Sequence, residues 1–162
     1  MIFKILFFRV MKNILVLCTG NVCRSPTAAF LLRRELAGVD CSIRSAGIAA
    51  VLNSSAEELA QKVALEHGLD ISSHRSCQVT MNMLQWADLV LVMEKMQKMS
   101  LLSRYPWLQG KIFRYGEPQQ VDVPDPHGHS EHSFRMSWNF IEKMTPYWVE
   151  KIAHPEGNNL CR

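Results

Sequence analysis

The chain has no long apolar run, no block of like charge and no internal repeat, and each absence removes a class of function. Its 162 residues carry a formal net charge of +3, spread along the sequence. No stripe of lysine and arginine interleaves with aromatics, so nothing points to a nucleic-acid partner. The most apolar stretch, residues 1–10, is far short of the ~20 residues a membrane span needs. Arg9, Lys12 and Asn13 interrupt it, and no small-residue cleavage pattern follows. Residues 1–10 therefore read as an N-terminal extension ahead of a natural start at Met11. Cysteine is sparse: five residues, an odd number at irregular spacings, exclude a secreted disulfide framework and favour a reducing cytoplasm. His127, His129 and His132 match no usual zinc spacing and have no cysteine near them in the sequence, so no metal or cofactor is expected. What remains, residues 11–153, is one domain long enough to bury a core, followed by a patternless tail over 154–162.

The informative stretch is Cys18-Thr19-Gly20-Asn21-Val22-Cys23-Arg24-Ser25-Pro26. The apolar run Ile14–Leu17 before it reads as a buried strand. Ser25-Pro26 after it reads as an N-cap and first helical residue, leading into Ala28–Leu32. A strand–loop–helix turn of this kind suits an oxyanion. Its N–H groups converge on one point and the helix N-terminus adds positive potential. Arg24 supplies a permanently charged fork that can hold two phosphate oxygens. Cys18 lies at the bottom of this cradle, where a thiolate is favoured for the same reason that a phosphate is. A nucleophile beneath a bound phosphoryl group is an arrangement for phosphoryl transfer through a phosphocysteine.

The rest of the chain alternates strands and helices. Expected in order are a helix from Ser25 to Ala37 ended by Gly38, then a strand over Cys41–Ser45 and a turn at Ala46-Gly47. Next come a helix capped by Ser55 and stopping at His67-Gly68, a short helix over Asn82–Trp86 and an apolar strand over Asp88–Met93. A Met-rich helix follows, its methionines expected in the core. Lys111–Arg114 reads as a fourth strand, and a last helix from Ser130 should kink or restart at Pro146. The pattern gives an α/β fold, a three-layer sandwich with a parallel sheet and helices on both faces. In such sheets ligands bind beyond the carboxyl ends of the strands, where Cys18 falls.

Expelling a phenolate, whose acid has a pKa of about 10, is helped by a proton delivered in the transition state. Asp125, stiffened by Pro126 on an irregular loop, is the first candidate acid, and Asp122 the second. An Asp-Pro pair is otherwise an ordinary turn. Ser25 can stabilise the Cys18 thiolate or assist its departure, which is compatible with a plain capping role. Asn21 tolerates a left-handed backbone. Cys23 reads alone as a small packing residue and His74 as an ordinary surface histidine.

Residues Cys18 to Ala28 resemble the active-site loop of the low-molecular-weight protein tyrosine phosphatases, closest to bacterial members associated with exopolysaccharide and capsule production. The resemblance extends through Ser45-Ala46-Gly47, His74-Arg75, Asp88 to Glu94 and Asp125-Pro126. It implies a four-stranded parallel sheet, and it selects Asp125 as the acid, and then as the base toward water. It implies a hydrogen-bond network tying Asn21 to Ser45 and His74, and a redox role for Cys23 in a reversible disulfide with Cys18. Ile48, Val51 and His127 would wall the slot for the substrate ring. His127 departs from the family, which commonly carries an aromatic residue there, and Ala29 stands where relatives often have glutamate. The implied partner is a phosphotyrosine protein, specifically an autophosphorylating bacterial tyrosine kinase of polysaccharide export.

Three other readings use the same residues. A phosphoarginine phosphatase would favour threonine at position 22, whereas Val22 offers only methyl groups, which suit an aromatic ring. A thiol-coupled arsenate reductase needs two further cysteines in relay, and Cys77 and Cys161 are badly placed for it. A phosphotyrosine-binding module without catalysis has no use for a nucleophile.

Overall fold

The computed structural model describes residues 11–154. The expected N-terminal extension over 1–10 lies outside the described residues, as does all of the tail except His154. Four strands form the sheet: β1 (Asn13–Cys18), β2 (Ser42–Gly47), β3 (Leu89–Val92) and β4 (Ile112–Arg114). Their order is β2-β1-β3-β4, and every pairing is parallel. The helices are α1 (Arg24–Glu35), α2 (Glu58–Glu66), α3 (Met81–Trp86), α4 (Lys95–Arg104) and α5 (Glu131–Ala153). No helix among the described residues is long and apolar enough to cross a membrane.

Successive side chains of a strand point to opposite faces, and β1 feeds two separate cores in this way. Ile14, Val16 and Cys18 join the core built with α1, α2 and α5. Leu15 and Leu17 join the core beneath α3 and α4. With both faces covered, β1 and β3 are buried along almost their whole length, which is why they read as unbroken apolar runs. The result is the three-layer α/β sandwich with helices on both faces.

Several local expectations are corrected. Strand β2 runs on through Ala46 and Gly47, because Gly47 pairs with Cys18 instead of turning away. Ser25 does not cap α1. The N-cap is Cys23, and the Ser25 hydroxyl is engaged by Cys18 and Asn21. Helix α2 is capped at Glu57, not Ser55, and its Leu65 is exposed. Met96 and Met99 are also exposed, on the outer face of α4, with Gln97 and Leu101 the buried residues of that helix.

Helix α5 runs unbroken through Pro146. Side chains around the proline hold it on the core. Thr145 Oγ1 donates to the Ile141 carbonyl at 2.8 Å and accepts from the Tyr115 hydroxyl at 2.8 Å. One turn on, Trp148 Nε1 donates to the Tyr115 carbonyl at 2.8 Å. Packing of this kind outweighs the one backbone hydrogen bond that proline removes.

Candidate active site

Cys18 ends β1 at the carboxyl edge of the sheet, and the chain swings directly from it into the N-terminus of α1. Two groups converge on its sulfur: the Asn21 N–H at 3.2 Å and the Ser25 hydroxyl at 3.0 Å. Because Ser25 Oγ accepts from Asn21 Nδ2 at 2.9 Å, its own hydrogen is free to point at the sulfur. Both groups therefore act as donors to the sulfur. Among the described residues, the N–H groups of Gly20, Val22 and Cys23 on the same loop have no protein acceptor. They are the unused donors that an oxyanion cradle needs.

Asn21 fixes the shape of this loop. Its φ of 58° is left-handed, a conformation that asparagine tolerates better than most residues. Its side-chain amide is fully used: Nδ2 donates to Ser25 and to Ser45 Oγ (3.0 Å), and Oδ1 accepts from the Cys77 N–H (3.0 Å). The Asn21 carbonyl lies 2.7 Å from His74 Nε2. A carbonyl can only accept, so Nε2 carries the hydrogen. His74 is buried, not at the surface as its isolated sequence context suggests, and burial lowers its pKa and keeps it neutral.

Strand β2 presses on the loop from the other side. Ile48 and Ala49 N–H groups donate to the Cys18 and Thr19 carbonyls, each at 2.9 Å. A Cβ on Gly47 would sit 2.7 Å from the Thr19 carbonyl oxygen, so only glycine permits this approach. On the far side, Gln97 of α4 donates to Thr19 Oγ1 at 3.1 Å.

Arg24 is 2 % exposed, yet its guanidinium has three anchors. Nη1 donates to Glu94 Oε1 at 2.6 Å and to the Val123 carbonyl at 3.1 Å, and Nη2 donates to Asp125 Oδ2 at 2.8 Å. The two carboxylates offset the burial of its charge. The structure thus brings Asp125 to the cradle, on a half-exposed side chain. It sends Asp122 elsewhere, onto Arg114 (3.1 Å) and the Lys95 N–H (2.9 Å). Glu94, Gln97 and Glu57 have no role assigned from the sequence. The signal for Glu94 was its position two residues beyond β3, at the same sheet edge as Cys18.

Of the expected ring walls, Ile48 is half-buried on the second core while Val51 is open to solvent. His127 stands on the Asp125 loop, its N–H donating to Asp125 Oδ1 at 3.2 Å and its Nδ1 paired with Glu57. That pairing raises the pKa of its imidazole. Its sequence neighbourhood lacks cysteine, but its spatial neighbourhood does not: Cys23 joins it and Glu57 within 4.8 Å. Burial and the Glu57 carboxylate push the Cys23 thiol up, so it is a neutral thiol. Cys18 and Cys23 are both free. Cys161, weighed above as a relay thiol, lies outside the described residues.

A parallel α/β sheet that delivers a cysteine sulfur into a loop of unused N–H donors, beside a buried arginine and a half-exposed carboxylate, defines a cysteine-dependent phosphate-monoester site. A family model described as low molecular weight phosphotyrosine protein phosphatase matches residues 13–157, and the chain belongs to that family. It is 43% identical over 141 residues to a probable low molecular weight protein-tyrosine-phosphatase, EpsP, of Ralstonia nicotianae, covering 87% of this chain and 96% of that one. Among solved structures it is similar to the tyrosine phosphatase Wzb of Escherichia coli K30 in complex with sulphate. There the TM-score is 0.82 at 35% identity, over 88% of this chain and 99% of that one. It is also similar to the YwlE arginine phosphatase of Geobacillus stearothermophilus, with a TM-score of 0.83 at 30% identity over 93% and 99%.

Proposed function

We propose that this chain hydrolyses phosphotyrosine in proteins through a phosphocysteine on Cys18. The observation that carries the proposal is the pair of donors on the Cys18 sulfur inside a loop whose remaining N–H groups are unspent. The phosphoryl oxygens take those N–H groups and the Arg24 guanidinium, which exchanges part of its hold on Asp125 for the substrate. The Cys18 sulfur attacks phosphorus as the P–O bond to the ring breaks, and Asp125 gives its proton to the departing phenolate oxygen. Asp125, now a carboxylate, takes a proton from water as the water oxygen attacks phosphorus. The P–S bond breaks, the electron pair returns to sulfur, and the Ser25 hydroxyl donates to the thiolate that leaves. Asn21, Ser45 and His74 hold the loop without touching the reacting atoms. Under oxidation Cys23 closes a reversible disulfide with Cys18.

Ile48, Val51 and His127 flank the slot for the substrate ring. Val22 favours tyrosine over phosphoarginine, since its methyl groups offer no partner for a guanidino group. The substrate in the cell is a bacterial tyrosine kinase of polysaccharide synthesis and export, and the place of action is the cytoplasm. The resemblance to bacterial members associated with exopolysaccharide and capsule production supports the pathway, and a free-thiol mechanism supports the compartment.

Phosphate release from phosphotyrosine and phosphoarginine peptides, together with arsenate reduction, tests the reading for wild type, Cys18→Ser and Asp125→Asn. Turnover of the tyrosine peptide alone, abolished by Cys18→Ser, is expected. Preference for phosphoarginine, or reduction of arsenate, would replace the substrate assignment.

A further inference from the structure

Cys23, Glu57 and His127 come from three separate places, 34 and 70 residues apart, and meet on the rim of the cradle. One ligand atom of each, the Cys23 sulfur, a Glu57 carboxylate oxygen and a His127 ring nitrogen, lies within 4.8 Å of the others. Zinc–ligand bonds of about 2.0–2.3 Å in a tetrahedron place neighbouring ligand atoms about 3.4–3.6 Å apart. The His127–Glu57 pair is in direct hydrogen-bond contact, closer than that, and the exposed imidazole swings back from the carboxylate to admit the ion between the three groups. The donor set of one sulfur, one imidazole nitrogen and one carboxylate oxygen suits a borderline-soft divalent ion and is poor for magnesium or calcium.

The three groups are held in place by backbone contacts. Cys23 is the N-cap of α1. Glu57 is the N-cap of α2, and its N–H donates to the Val22 carbonyl at 2.9 Å, fixing α2 against the cradle loop. His127 is held by the Asp125 carboxylate through its N–H, and its ring is paired with Glu57. Cys23 is buried while His127 is largely exposed, so an ion can enter from solvent and keep a fourth position for water.

We propose that Cys23, Glu57 and His127 form a binding site for a divalent zinc-class cation, and that its occupation slows turnover by tying the Asp125 loop to the cradle. On binding, the thiol proton of Cys23 passes to solvent and the ion takes its place on sulfur, with no change of oxidation state. His127 is two residues from Asp125. A bond from His127 through the ion to Cys23 therefore restrains the loop that carries the acid. The inhibitory half of the proposal rests on the phosphatase reading; the binding half does not.

The test titrates the reduced full-length chain with cobalt(II), then zinc. Wild type and Cys18→Ser should both give a thiolate-to-cobalt charge-transfer absorption that zinc displaces. Cys23→Ala should abolish it, and His127→Ala and Glu57→Gln should each weaken cobalt affinity roughly tenfold or more. Glu57→Gln changes a rim side chain only, which guards against a Cys23 variant that does not fold. Zinc should inhibit wild type relative to its own metal-free rate, and should inhibit the His127→Ala chain much less relative to its own. No charge-transfer absorption, or one lost in Cys18→Ser and retained in Cys23→Ala, overturns the site. Absorption as expected without phosphatase activity in any chain leaves the site standing and removes the functional reading instead.

Discussion

Arg24 Nη2 donates to Asp125 Oδ2 at 2.8 Å, so the helix that closes the phosphate cradle is tied directly to the loop that carries the candidate acid. The same guanidinium holds Glu94 through Nη1 at 2.6 Å. One buried cation thus coordinates three segments that are far apart in sequence. In the proposed mechanism a phosphoryl group competes for the same donor, which would couple substrate arrival to the release of Asp125.

That coupling predicts a leaving-group signature. Asp125→Asn should lower kcat for phosphotyrosine by about 10²–10⁴-fold, the usual worth of a positioned general acid. The loss should shrink for an aryl phosphate whose phenol is much more acidic, because such a leaving group needs no proton. Steady-state rates across a series of aryl phosphates check this. An equal loss for all members would assign Asp125 to holding Arg24 alone.

Arg24 and Glu94 should be separable by what each variant spoils. Arg24→Lys keeps a charge but loses the planar fork, so affinity for inorganic phosphate should fall roughly tenfold or more. Glu94→Gln leaves the fork intact but removes a partly buried partner. Its cost should appear mainly as stability, about 1–3 kcal/mol by denaturant unfolding.

Asn21 combines a left-handed backbone with three side-chain hydrogen bonds, so two substitutions can divide its contribution. Asn21→Ala should destabilise the fold by about 2–4 kcal/mol, from backbone strain and unpaired neighbours together. Asn21→Gly should recover about 1 kcal/mol of that, since glycine accepts φ near 58°. Both variants should lose activity, because Ser25 no longer has the partner that turns its hydrogen toward Cys18.

His74 gives a pH dependence with a definite sign. Its folded pKa is lowered by burial, so below the ordinary histidine value of about 6.5 the unfolded chain binds a proton that the folded chain resists. Stability should therefore fall as pH drops below about 6.5 and level off below the folded value. Thermal melts across that range should show a flatter profile for His74→Gln than for wild type, whatever its stability at neutral pH.

Gly47→Ala places a methyl group 2.7 Å from the Thr19 carbonyl and 2.8 Å from the Ala50 Cβ, where no flexible side-chain end can yield. The expected result is a loss of about 1–3 kcal/mol. A fall in kcat should accompany it as the cradle shifts away from β2.

The parts of this architecture legible in the sequence are those written in short-range pattern. The apolar runs of β1 and β3 announce a parallel sheet buried on both faces, and Cys18 through Pro26 announces a strand–loop–helix turn. What could not be read is set by tertiary contact. Pro146 signals a break, but Tyr115, Thr145 and Trp148 hold α5 in one piece. Ser25 has the chemistry of a cap, yet only its expected contact with Cys18 is present, because Cys23 takes the N-cap position. Met96 and Met99 have core composition on a helix whose exposed side they occupy. Glu94 and Glu57 are single carboxylates without a motif, and only the fold brings them to Arg24 and to Cys23 with His127.

The account turns on covalent capture of phosphate by the Cys18 sulfur. Rapid quenching of the Asp125→Asn chain with a phosphotyrosine peptide, followed by peptide mass spectrometry, should find a phosphoryl group on Cys18 and on no other residue. A phosphoryl group on a different side chain, or wild-type turnover by Cys18→Ser, would contradict it.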